Sequence, residues 1–258
     1  MINKPKEISY GVNPDLVAEP KFDGMRGIIR SNNDKFDLLS VRNDIYNSKL
    51  IQFPEIIPIL PDDTEIDGEI CIPLSDVSAD FGSLQKRITV QNKQIIQHYT
   101  KTIPVKFMAF DILKYKGRDV TGLGYKERRD MLRSIITPEQ QNIELVQVGT
   151  PIDMWNKVME QDGEGIVVKN THGKYNDQWF KQKNWKESDF KVASIEERKI
   201  NWVLNLEDEN KKDVGKVTMT GYDRTEELKQ KIIGMTAVVK YLGFGNKLRI
   251  PILKELRS

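Results

Sequence analysis

Lys21 lies in the stretch Glu19-Pro20-Lys21-Phe22-Asp23-Gly24-Met25-Arg26-Gly27, where a lysine has the company a nucleophile needs. Attack requires an uncharged amine, although free lysine holds its proton to a pKa of about 10.4. Burial or neighbouring cations favour the neutral form. Lys-x-Asp-Gly sets the amine beside a carboxylate and a residue without a side chain, which lets backbone approach a ligand closely. A surface lysine ahead of a turn has the same four letters, so other residues must decide.

Further candidates follow along the chain. Between Glu65 and Ile72 the residues alternate, with Ile66, Ile70 and Ile72 on one face and Glu65, Asp67, Glu69 and Cys71 on the other. That carboxylate row is either the wet face of a sheet or a row turned toward a ligand. Phe110 stands in the apolar run Val105 to Leu113 and reads by itself as core. Glu164 follows a helix end and opens a strand, a rim position. Lys181 and Lys183 are two apart in an alternating run and share a face. Paired ammonium groups suit a phosphate, and they suit a charged edge strand equally. As phosphate ligands they would also bring like charge toward Lys21. Trp179 and Trp185, on the same face, read as packing residues. Arg26 and Arg42, each an arginine standing alone, read by themselves as surface residues.

These residues need elements to hold them. Lys35 to Val41 and Glu65 to Ile72 read as strands, and Val105 to Leu113 as a strand buried on both faces. Tyr125 to Ile136 carries Tyr125, Leu132, Ile135 and Ile136 at helical spacing. Pro151 to Gln161 is a second helix, capped by Thr150, and Gly165 to Lys169 returns as a strand. The pattern thins around Lys186 to Phe190, which predicts a polar joint. Short strands follow at Lys191 to Ile195, Lys216 to Thr220, Thr236 to Leu242 and Leu248 to Leu253. One helix, Thr225 to Ile233, lies between them, with Asp223 and Glu226 as a capping-box variant and Gly234 at its end. Such a segment matches a small barrel, of OB or SH3-like type. Asn205 to Val214 reads as an exposed loop.

Composition sets the outer bounds. The chain has 258 residues, 38% hydrophobic and 30% charged, too apolar for a disordered chain and long enough for a real core. Mean hydropathy is −0.52 and no apolar run approaches the roughly 20 residues of a membrane helix. Cys71 is the one cysteine, so no internal disulfide and no thiolate-rich metal site is expected. The opening residues lack the apolar core of a secretory signal, which predicts a cytoplasmic protein. Net charge is +2, with 14 basic and 10 acidic residues from Lys191 onward. That mild excess fits a phosphate-tracking surface or an ordinary solvated one.

In order, these segments resemble the ATP-dependent DNA ligases, within the covalent nucleotidyltransferases. EPKFDGMRG (19–27) resembles motif I, SVRND (40–44) the arginine motif after it, and EIDGEI (65–70) the segment with a ribose-contacting glutamate. FMAFDIL (107–113) is similar to motif III, GRDVTGLGYKERRDML (117–132) to the ligase region beyond it, and DGEGIVVK (162–169) to motif IV. WFKQK (179–183) is similar to motif V and RIPILKELR (249–257) to the start of motif VI.

The resemblance implies an α+β fold. A nucleotidyltransferase domain of antiparallel sheets with flanking helices (1–188) would precede an OB-fold (189–258), with a hinge at 186–190. It implies that Lys21 attacks the α-phosphate of ATP, that Glu19 faces the adenine amino group, and that Phe110 stacks on the base. Glu69 would hold the ribose, and Glu69 and Glu164 the Mg²⁺, with Mn²⁺ as a substitute. Lys181 and Lys183 would hold the α-phosphate. Arg26, Arg42 and Arg249 would contact DNA, the first two after gripping the nucleotide, and Arg257 would orient the leaving pyrophosphate. The implied partner is nicked duplex DNA, bound by a monomer through its backbone and hence salt-sensitively. RNA ligases and capping guanylyltransferases share Lys-x-Asp-Gly, and a non-catalytic nucleic-acid-binding module is a further alternative. The family usually carries an acidic residue and a final Lys or Arg beyond Arg257, where this sequence has Ser258. A slower first step, or substitution by other basic residues, is expected. Larger members also carry an N-terminal DNA-binding domain, and with motif I at Lys21 none is expected here.

Overall fold

A computed structural model describes residues 13–33, 35–39, 42, 53–56, 58–137, 140, 142–177, 179–220, 225–244 and 247–258. The chain divides into two compact units, and among the described residues the division along the chain falls between Lys183 and Asn184.

The first unit holds β1 (Leu16–Pro20), β2 (Met25–Asn32), β3 (Lys35–Leu39) and β4 (Glu65–Cys71), then α1 (Phe81–Thr89), α2 (Lys93–Thr102), β5 (Lys106–Tyr115) and β6 (Arg118–Asp119). It continues with α3 (Tyr125–Ile135), β7 (Ile143–Leu145), α4 (Pro151–Glu160), β8 (Gly165–Asn170) and β9 (Phe180–Lys183). One sheet has the order β3-β2-β4-β5-β6, with β7 beside β5, and a second has the order β1-β8-β9. The described pairings are antiparallel except β5 with β7, which is parallel and departs from the all-antiparallel expectation.

Period two decides what each face of the smaller sheet does. Ala18, Ile166 and Val168 face one way and are buried with Met154 and Val158 of α4. The other face carries Glu19, Val167 and Lys181 in one cross-strand row, and Val17 opposite Lys169 in the next. Thr150 caps α4 through Asp153 N at 3.2 Å, and Pro151 fills its first turn, as the sequence predicts. In the larger sheet, Ile29, Leu38, Ile66, Ile70, Phe107 and Ile112 share one core with Leu132 of α3.

Gly165 permits the turn into β8. Its φ is +155°, and a Cβ there would lie 2.1 Å from the Gln182 carbonyl oxygen on β9. Gly165→Ala should therefore push β9 away and cost about 2–3 kcal/mol. Urea unfolding of the variant would show it, and an unchanged midpoint would contradict the reading.

The second unit comprises β10 (Lys186–Glu197), β11 (Trp202–Glu207), β12 (Asp213–Met219), α5 (Glu226–Ile232), β13 (Thr236–Tyr241), β14 (Gly243–Phe244), β15 (Leu248–Arg249) and β16 (Ile252–Arg257). Its five-stranded sheet runs β12-β11-β10-β13-β16 around a core that includes Val192, Trp202, Leu204, Val217 and Val239.

Several expectations are corrected here. Lys186 to Phe190 is strand, paired with β13 from Tyr241 to Ala237, so a boundary at 188/189 would cut β10. The polar letters there are the exposed half of a strand, not a joint. Trp179 and Trp185 fall in different units. Asn205 to Glu207 and Asp213 to Val214 are strand, and the expected loop is confined to 208–212: Asp208 N donates to Lys212 O at 3.0 Å, and the Asp208 carboxylate accepts from Asn210 N and Lys212 N at 2.9 Å. The run Leu248 to Leu253 breaks at Ile250, whose φ is +48°. Thr225 caps α5 through Leu228 N at 3.2 Å, and Asp223 lies outside the described residues.

Candidate active site

Lys21 leaves β1 directly after Pro20, where its N–H donates to Gly165 O at 2.8 Å. That bond continues the β1–β8 ladder by one residue and brings the lysine to the strand that follows Glu164. The Lys21 ammonium donates to Glu164 Oε2 at 2.7 Å, with 23% of the lysine side chain exposed against 6% of the glutamate. Expected neighbours Lys181 and Lys183 come from the same sheet, Lys183 opposite Gly165 and Lys181 opposite Val167.

An open cleft lies between the two sheets of the first unit. Glu19, Lys21, Val167, Lys169 and Lys181 line it from one side, and Arg26, Glu69 and Phe110 from the other. Trp179 completes the aromatic part of the wall, with its ring edge-on to Phe110 at 6.1 Å. Glu164 reaches the cleft through its bond to Lys21. Lys183 is half-buried at the end of β9 and does not line it.

Arg26 and Glu69 are cross-strand partners on β2 and β4. Arg26 holds the buried Asp67 with two bonds, at 2.7 and 3.2 Å, and donates to Tyr175 Oη at 3.1 Å. Burial works against its charge, but the bond to Asp67 and the attraction of that carboxylate outweigh it and raise the guanidinium above its ordinary value. Tyr175 in turn donates to Asp67 Oδ2 at 2.6 Å. Arg26 is thus a fixed cation in the cleft wall, not a swinging arm.

The polar face of β4 is not wet. Asp67 is fully buried, and Glu69 is half-covered. Burial pushes the Glu69 carboxyl up to about 8; Lys21 and Arg26 pull it down, while Glu164 and Asp67 add to the rise. A group whose folded value is raised contributes stability that is full at low pH and lost as pH climbs from 4.5 to about 8. In metal-free buffer, Glu69→Gln should flatten the fall of denaturation midpoint across that interval relative to the parent. Parallel profiles would contradict this.

Glu19 is 2% exposed, and both its oxygens are engaged. Tyr125 Oη donates to Oε1 at 2.6 Å, and Lys169 Nζ to Oε2 at 2.7 Å. Lys169 is itself buried, 4.1 Å from the Trp179 ring centroid and 5.1 Å from that of Phe110. It lies 3.9 Å from Asp111 Oδ2, which also receives Arg128 at 3.0 Å. Two carboxylates and two cations therefore balance inside the unit.

Lys169, Tyr125, Asp67, Tyr175 and Trp179 were not anticipated as site residues. Lys169 had a signal: it ends the run GIVVK at the same parity as Gly165 and Val167. Gly24 also has a packing role. A Cβ there would lie 2.3 Å from Ile70 O, so packing against β4 by itself requires the glycine. Arg42 is exposed in a turn and does not line the cleft, and positions 40, 41, 43 and 44 of its motif lie outside the described residues. Arg249 and Arg257 belong to the second unit. Burial lowers the Arg249 guanidinium. Arg257, half-exposed on β16, pairs with Glu255 and lies 3.8 Å from Asp189.

Among the described residues no group of three or more His, Cys, Asp or Glu could hold a metal ion. Glu69 and Glu164 are hard oxygen donors that feel each other's charge, so the pair fits Mg²⁺ or Mn²⁺ once substrate oxygens join it. No helix among the described residues is long and apolar enough to cross a membrane.

Comparison with known proteins gives a concordant result. The family described as ATP dependent DNA ligase domain matches residues 2–187. The chain is 34% identical over 197 residues to the bifunctional non-homologous end joining protein LigD of Bacillus subtilis, covering 66% of this chain and 31% of that one. It is 33% identical over 197 residues to DNA ligase C of Mycobacterium tuberculosis, covering 70% and 54%. It thus spans about a third to a half of the length of these relatives. The ligase domain of M. tuberculosis LigD has a similar fold, with a TM-score of 0.56 and 18% identity over 94% of this chain and 89% of that one. A mycobacterial DNA ligase D complexed with ATP and MES scores 0.55 at 17% identity, with the same coverage.

Proposed function

Because the chain belongs to the ATP-dependent DNA ligase family, we propose that it seals nicks in duplex DNA through an adenylyl group carried on Lys21. The observation that carries this reading is the placement of the Lys21 amine, partly exposed at a cleft with aromatic, carboxylate and cationic walls.

Attack needs the nitrogen lone pair, so the Lys21 ammonium must first lose a proton to solvent and turn from Glu164 toward the phosphorus. The lone pair then forms a bond to the α-phosphorus of ATP, and the bond to the bridging oxygen breaks with its electrons leaving on pyrophosphate. A 5′-phosphate oxygen at the nick next displaces Lys21, which recovers its proton. The 3′-hydroxyl finally attacks that 5′-phosphorus, loses its proton, and AMP departs. Each step is phosphoryl-type transfer, governed by positioning and charge. Lys181, with Lys183 beside it, and Arg26 supply cations for the phosphates, and Glu69 an acceptor for the ribose. Phe110 supplies a face for the base. Glu69 and Glu164 would hold Mg²⁺, or Mn²⁺, which when bound neutralises phosphate charge.

Glu19 favours adenylyl over guanylyl transfer: a buried carboxylate accepts hydrogen bonds, and adenine offers an amino group where guanine has an oxygen. We read Asn184–Ser258 as an OB-type barrel supplying Arg249 and Arg257, and the protein as a cytoplasmic monomer. Arg42 would contact the DNA backbone. Five strands and one helix about a single core support the barrel reading. The test is to charge the enzyme with labelled ATP and Mg²⁺, remove free nucleotide, and add nicked duplex. Discharge with strand joining is expected. Label that stays on the protein, or that joins only nicked RNA, would refute the proposal.

A further inference from the structure

Resting on that reading, we infer that Tyr125, which does not itself line the cleft, is a positioning residue for base recognition by locking the Glu19 carboxylate. An ionised carboxylate has about four lone-pair sites and no donor. Tyr125 takes one on Oε1 and Lys169 one on Oε2, at 2.6 and 2.7 Å. The remaining capacity belongs to whatever enters the cleft that Glu19 lines. A carboxylate has no proton to give an acceptor, and with both oxygens held by buried donors its remaining lone pairs keep one orientation, which favours a purine that carries an amino group at position 6.

Both locking groups are rigid. Lys169 is boxed by the Trp179, Phe110 and Tyr125 rings. Tyr125 opens α3, whose start is fixed by Gly124 N donating to Glu127 Oε2 at 3.0 Å and Lys126 N donating to Thr171 O at 2.9 Å. Burial, with the nearby Glu19 charge, raises the phenol well above its ordinary value, so Tyr125 stays the donor. Removing Lys169 would strand a buried charge and threaten the fold. Tyr125→Phe removes one O–H and leaves the ring and the ion pair.

The experiment compares ATP with purine riboside triphosphate, which lacks only the 6-amino group, as donors for modification of Lys21. The parent should favour ATP at least about 10-fold in kcat/KM, as a site built around a hydrogen bond does. In Tyr125→Phe that preference should fall several-fold. The KM for ATP should rise, with kcat within about twofold and the KM for the analogue unchanged. A merely structural role would weaken both nucleotides equally and keep the ratio; that result overturns the inference, as does a parent enzyme that does not discriminate. Glu127→Ala, which loosens the start of α3 from an exposed position, should shift the ratio the same way, and decides the matter if Tyr125→Phe does not fold. A parent that forms no covalent adduct with either nucleotide refutes the ligase reading, and the inference falls with it.

Discussion

Lys21→Ala should lower the rate of covalent nucleotide attachment by about 10⁴-fold or more, because the variant lacks the atom that bonds to phosphorus. Lys181 and Lys183 remain, but they stand on another strand, opposite Val167 and Gly165, and do not replace the amine that follows β1. ATP binding should change far less, since Glu19, Phe110, Lys169 and Lys181 still line the cleft. Given a nick that already carries AMP on its 5′-phosphate, Lys21→Ala should still seal it, because the last step uses no lysine nucleophile. Autoradiography of the protein beside sealing of the two substrates separates these outcomes. A variant that seals unmodified nicks at the parental rate would remove Lys21 from the mechanism.

The second large effect is on stability. Arg128 and Asp111 are almost fully buried and joined by two bonds, at 2.7 and 3.0 Å, while Arg128 also donates to the Leu123 and Gly173 carbonyls. Arg128→Ala leaves Asp111 with its charge, Lys169 at 3.9 Å and the backbone of Ile112 as its remaining partners. Breaking such a buried pair costs about 3–5 kcal/mol. Guanidinium unfolding of the whole chain should show a loss of that size, and a loss below about 1 kcal/mol would mean that the site's ion network does not depend on this pair.

Arg128 also shows where sequence reading stops. The helical period of Tyr125, Leu132 and Ile135 was legible, and α3 follows it. The period does not say that Arg128 and Arg129 lie on the inner face, because burial of a guanidinium depends on partners far along the chain, here Asp111 and the Val146 carbonyl. The strand at Val105 to Leu113 and the strand after Glu164 are readable because a short apolar run needs no distant partner to be buried, and the helix at Pro151 because its apolar spacing selects the buried face. The helices at Phe81 and Lys93 escaped notice because few of their residues are apolar and their N-caps, Asp80 and Asn92, sit in polar sequence. Of the expected site, Glu19, Lys21, Arg26, Glu69, Phe110 and Lys181 do meet at one cleft. Their ordered motifs carried that expectation. The buried Lys169 bonded to Glu19, and Tyr175 bonded to Arg26, needed the fold.

The direct test of the central claim is the mass of intact protein after mixing with ATP and Mg²⁺, followed by peptide mapping of the modified form. One adenylyl group should appear, attached at Lys21 through an acid-labile nitrogen–phosphorus bond, and should vanish on addition of pyrophosphate or nicked duplex. An unmodified mass, or an adenylyl group mapped to Lys181 or Lys183 instead, would contradict the account.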